Sequence, residues 1–182
     1  MDIVAHGLWV GIGLAAARRK RDIPRGAMLA TIAAAMAPDL VQLLPVLFAA
    51  VSRPDGMAVL YAYIAALPGF EPALPPWAAV LTHHLHCVMH SAVVAGVLTA
   101  VVWWWTRSLW LPLLGWWSHI VIDVFTHSAE FYPVPVFYPF TQWGFDGIAW
   151  NEPWFLLANY AAIAIALAWL FATRRNGRQP VL

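Results

Sequence analysis

Apolar residues in this chain run in long stretches separated by short polar breaks, and five of the stretches read as membrane-spanning helices. The first is Ile3 to Ala17, short for a span, and the second runs from about Ala27 to Val51. The third covers Trp77 to Trp105, the fourth Leu109 to about His127, and the fifth Trp154 to Ala172. Met57 to Leu67 is apolar but too short to cross, so it reads as an interfacial or re-entrant helix. The pattern predicts an all-α, polytopic transmembrane helix bundle of about five spans, with residues 1–182 forming a single integral-membrane domain.

Composition supports that class. Of 182 residues, 62% are hydrophobic and 10% charged, and the mean hydropathy is +0.69. Soluble domains carry about a quarter charged residues, too many for this chain to be one of them. A net charge of +1 gives no reason to expect a nucleic-acid partner. The single cysteine, Cys87, excludes an internal disulfide. Basic residues fix an expected orientation. Arg18, Arg19, Lys20, Arg21 and Arg25 join the first two spans, Arg107 joins the third and fourth, and Arg174, Arg175 and Arg178 follow the fifth. Alternating spans put all of them on one side and only Arg53 on the other, which predicts the N-terminus outside and the C-terminus in the cytoplasm. Positive charge follows the first apolar run rather than preceding it, unlike a cleavable secretory signal. Trp103, Trp104, Trp105 and Trp110 would form an inner belt, and Trp77, Trp143, Trp150 and Trp154 an outer one.

The chemistry lies in the ionisable residues that interrupt these spans. His83, His84, His86 and His90 fall in one short run, His119, Asp123 and His127 in the next span, and His6 and Asp39 in the first two. Each would cost roughly 2 kcal/mol or more if left facing lipid, so a shared polar site explains them better than coincidence. Residues three or four apart share a helix face: His83, His86 and His90 form one stripe, and His119, Asp123 and Thr126 or His127 another. Paired imidazole and carboxylate groups on facing helices are how bundles hold metal ions. The candidate ligands are His6, Asp39, His86, His90, His119 and Asp123, with His83 the alternative to His86. Four to six nitrogen and oxygen donors suit a divalent ion, zinc first, with manganese or iron as alternatives. Asp39 and Asp123 are also the candidate catalytic acids or bases, Ser91 and Thr126 candidate orienting groups, and Cys87 a small buried hydrophobe. In the predicted orientation the cluster lies between mid-membrane and the outer face. The proline- and aromatic-rich loop Glu130 to Phe140 is placed to cover it.

At these residues the chain resembles a family of membrane-bound, metal-dependent hydrolases described as LexA-binding and inner-membrane-associated. The shared elements are His6-Gly7, Pro38-Asp39, His90-Ser91, the His-x-x-x-Asp-x-x-Thr element at His119, Asp123 and Thr126, and Tyr138-Pro139-Phe140. They span most of the chain, and the His119 element is the most specific. Val41 stands where the family often has a second acid, and Leu85 and His86 where it often has His-Arg. The resemblance implies a multi-pass protein of a bacterial inner membrane with a metal site. Any LexA contact would be limited to the short basic loop and tail.

The expectation for function is hydrolysis of an ester or phosphoester bond in an amphiphilic, lipid-like substrate by metal-activated water. No Gly-x-Ser-x-Gly element offers a serine nucleophile. The alternative is a metal-ion or proton transporter or channel component lined by the same cluster, with haem held between His90 and His119 a more distant third.

Overall fold

The computed structural model describes residues 1–67 and 70–176, with side chains through Thr173; Arg178, part of the expected basic tail, lies outside the described residues. Among the described residues seven helices follow in chain order: α1 (Ile3–Ala17), α2 (Arg25–Val51), α3 (Gly56–Ile64), α4 (Pro76–Met89), α5 (Ala92–Thr106), α6 (Leu111–Thr126) and α7 (Pro153–Asn176). Every apolar stretch of the sequence is helical, and the described residues contain no β-strand beyond an isolated bridge between Ser128 and Phe131. The fold is an all-helical, membrane-type bundle. By length and composition α2 and α7 can each cross a bilayer, the bent pair α4–α5 would make a third span, and α1 and α6 are apolar but shorter.

Local chemistry starts and stops these helices. The Asp2 side chain accepts the Ala5 N–H at 3.0 Å to cap α1. Proline occupies the first turn of α4 and of α6, where a missing N–H costs nothing. The expected unbroken third span, Trp77 to Trp105, is instead two helices meeting at a 57° bend. His90 leaves the helical path as the C-cap of α4, and Ser91 adopts an extended backbone. The Ser91 hydroxyl accepts the N–H groups of Val93 and Val94, both at 3.1 Å, and donates to the Tyr138 carbonyl at 2.6 Å. A serine preceding an apolar run thus acts as an N-cap, and the cap breaks the span.

α2 is the central element, packing most extensively on α6 and then on α4 and α1. Its interior prolines, Pro38 and Pro45, each remove one helical hydrogen bond. Contact between α2 and α6 is unusually close at Gly115, where an added Cβ would lie 2.1 Å from the Thr31 carbonyl oxygen and 3.1 Å from the Ala35 nitrogen. Small residues allow such backbone approach inside membranes, where apolar burial gives helices little reason to associate. Gly7 of α1 differs, because a Cβ there would meet the flexible Met36 thioether at 2.8 Å rather than backbone. Gly115→Ala should therefore destabilise the bundle by about 1–3 kcal/mol, the usual cost of overpacking, while Gly7→Ala costs less. Thermal unfolding of both variants in detergent tests this; equal shifts would mean that α2–α6 contact does not organise the fold.

Candidate metal centre

Among the described residues twelve polar or charged ones are buried, and half of them gather at one point between α1, α2, α4 and α6: His6, Asp39, His90, His119, Asp123 and His127. His6, His90, His119 and Asp123 are each 0% exposed. One donor atom from each of His6, Asp39, His119 and Asp123 lies within 4.8 Å of the others, a group that could hold a metal ion.

The hydrogen bonds assign the imidazole tautomers. A backbone carbonyl can only accept, so a ring nitrogen bonded to one carries the proton. His119 Nδ1 donates to the Ala35 carbonyl at 2.8 Å. His90 Nδ1 donates to the His86 carbonyl at 2.9 Å, and His127 Nδ1 to the Tyr132 carbonyl at 2.8 Å. The three Nε2 atoms then turn inward around Asp123 Oδ2, at 3.1 Å from His119, 3.3 Å from His90 and 3.4 Å from His127. His119 and His90 bring their Nε2 atoms within 3.0 Å of each other. With both Nδ1 protons committed, these are lone pairs face to face, an arrangement that a shared cation or proton relieves. A ring nitrogen fixed to a carbonyl, its partner nitrogen aimed at a common point, is the usual support for a metal-binding histidine.

Other contacts complete the group. His6 stacks on His119 with centroids 3.9 Å apart and approaches Asp123 Oδ1 with Nε2 at 2.8 Å. Thr126 donates to the same oxygen at 3.2 Å, and the Met1 amine also rests on it. His6 Nδ1 and one oxygen of each aspartate, Asp39 Oδ2 and Asp123 Oδ2, are buried without a hydrogen-bond partner. Asp39 Oδ1 lies 3.6 Å from His90 Nε2 and 3.7 Å from His119 Nε2. Two carboxylates, several imidazole lone pairs and orphaned polar atoms in a buried space match the donor set of a divalent ion.

The remaining sequence candidates fall around this point. His86 is buried beside His90, ring centroids 4.2 Å apart, with Nδ1 2.8 Å from Gln42 Oε1 and Nε2 3.2 Å from the Pro133 carbonyl. His83 and His84 are exposed, and His83 contacts the buried Cys87 at 3.6 Å. Arg53 pairs with Asp55 at 2.8 Å and so leaves Asp39 without a cation from that quarter. The aromatic loop lies over the site, contributing the Tyr132 and Pro133 carbonyls and burying Phe131, Val134 and Pro135.

Gln42 carries no sequence signal beyond its place. Its Nε2 donates to Asp39 Oδ1 at 3.3 Å, and its Oε1 lies 2.8 Å from His86 Nδ1. Three residues after Asp39 on one helix, it shares that aspartate's face, and only this spacing points to it.

The chain is matched from residue 1 to residue 181 by the model of a family described as YdjM inner membrane protein. No curated protein and no solved structure matches it. The chain belongs to the YdjM inner membrane protein family, which places it in the inner membrane.

Proposed function

We propose that this member of the YdjM family is an integral-membrane, metal-dependent hydrolase that cleaves an ester or phosphoester bond of an amphiphilic, lipid-like substrate. One observation carries the reading: three imidazoles, each with its Nδ1 proton given to a backbone carbonyl, aim Nε2 at one carboxylate oxygen. Packing alone does not need three tautomers fixed in the same sense.

In this reading His6, Asp39, His119 and Asp123 hold the ion, His90 is a further ligand, and His86 supports them from behind through Gln42. An all-nitrogen and oxygen set without a second cysteine favours zinc, with manganese or iron as alternatives. When bound, such an ion polarises the scissile group and lowers the pKa of a bound water to near 7. The two aspartates divide the remaining work. Asp123 is enclosed by four imidazoles and suits anchoring, whereas Asp39 also lines a cavity and can receive a proton from water entering there. The His119 and Ser91 elements that support the resemblance to metal-dependent hydrolases both sit at this point, one in the cluster and one at the break that turns His90 inward.

The positive-inside distribution supports an N-terminus on the outer side, which puts the site toward the periplasm. A transport path has less support. Toward the start of α6 the cluster gives way to an apolar plug of Ala95, Leu113, Trp116 and Ile120.

Purified protein should carry stoichiometric metal by mass spectrometry, and His119→Ala and Asp123→Ala should each lose it. Gln42→Ala should keep the stoichiometry but bind about 10–100-fold more weakly, as removal of supporting contacts does. Full metal content in both alanine variants would remove the assignment. In a screen of lipid esters and phosphoesters, Asp39→Asn at saturating metal should lower turnover about 100-fold or more. Undiminished turnover in that variant would exclude Asp39 as the base.

A further inference from the structure

A cavity of about 260 Å³ adjoins the cluster between α1, α2, α3 and the aromatic loop. Its inner end is polar, reached by Asp39, Gln42 and His127. Its walls are chiefly apolar, with Ile3, Leu43, Phe131 and Trp150 among them. At the rim stand Val4 and Ile64, 55% and 56% exposed, which continue the apolar outer surface of the bundle. These two residues give the opening an apolar lip, while Met1 and Asp2 also line the cavity.

From this geometry we infer that the cavity is a chain-binding subsite, which takes one alkyl chain of the amphiphile sideways from the bilayer between α1 and α3. The head group then meets Asp39 and His127. The nature of that head group rests on the hydrolase reading; the chain subsite rests on the cavity itself.

Size and polarity both favour a single chain. Drug-sized pockets run to about 300–1,000 Å³, so 260 Å³ suits one slender segment rather than the paired chains of a phospholipid. A chain passing Val4 and Ile64 keeps its far end in lipid, and only the part nearest the head has to fit. Two tyrosines build the wall nearest the loop. Tyr63 and Tyr132 meet edge to face at 6.2 Å between centroids, and burial pushes both phenols above the ordinary tyrosine range, so they present neutral hydroxyls. Tyr132 is held at φ 49, a left-handed conformation rare for an aromatic residue. That geometry turns its ring to the cavity wall and its carbonyl to His127 Nδ1 at the same time. One residue thus links the chain-binding wall to the metal cluster.

The test uses dodecyl phosphate carrying a diazirine on the part of its chain nearest the phosphate, photo-activated with the protein in lipid nanodiscs, with labelled residues mapped by mass spectrometry and metal content measured on the same sample. Label should concentrate on the start of α1, the end of α3 and Phe131, and excess unlabelled dodecyl phosphate should compete it away. Leu43→Trp fills the cavity and Ile64→Trp narrows the rim, and each should lower this labelling at least tenfold without changing metal content. Because Ile64 is exposed, its variant reports even if Leu43→Trp does not fold. Label spread over the outer faces of α5 and α7, insensitive to both substitutions in metal-replete protein, would overturn the subsite. Cavity labelling in protein without metal would instead sustain the subsite and refute the hydrolase reading.

Discussion

Two carboxylates buried inside an apolar helix bundle are the constraint from which the rest of this structure follows. Asp123 is 0% exposed and Asp39 5%. Withdrawing one such ion from water costs several kcal/mol even after relaxation, and unpaired it would not be tolerated. The fold answers by surrounding both with imidazoles, a threonine hydroxyl, a glutamine amide and the Met1 amine. Nitrogen lone pairs do not neutralise a carboxylate. The Met1 ammonium pairs with Asp123, while the three fixed tautomers leave inward lone pairs beside both carboxylates, a set that could hold a metal ion.

That requirement explains features of the bundle that packing alone leaves arbitrary. Gly115 brings the backbones of α2 and α6 close enough for His119 to reach the Ala35 carbonyl. Pro38, one residue before Asp39, deprives the adjoining turn of a helical hydrogen bond at the place where His119 enters. The bend after α4 turns the chain at His90, and the His86 carbonyl, which still accepts the His90 backbone N–H at 3.0 Å, also accepts its ring N–H at 2.9 Å.

The sequence made the outline of both fold and site readable, because period and cost are local. Apolar runs located every helix, and intramembrane His6, Asp39, His90, His119 and Asp123 were conspicuous in lipid-like surroundings. What escaped was set by backbone direction. His86 sits on the same stripe as His90, yet the break at Ser91 and the Gln42 contact give the two rings different surroundings. His127 looked peripheral at a helix end; its extended backbone and the left-handed Tyr132 bring it in, and no residue pattern announces a tyrosine at positive φ. Gln42 was invisible because a glutamine in a helix is ordinary until its neighbours are known.

The same asymmetry that separates the two aspartates bears on what the site is for. A centre built only to stabilise the bundle has no need of an open side, and closing it would spare the cost of polar atoms at a cavity wall. Here Asp123 is closed in on every side while Asp39 and His127 reach a cavity bordered by exposed apolar residues. The aromatic loop covers the cluster without filling that space. In the function proposed above, an enclosed anchor beside an accessible acid with an apolar lip would suit chemistry on a membrane-borne molecule. A structural metal would not require it, and a conduit would need the polar line to continue past Leu113 and Trp116, where it ends.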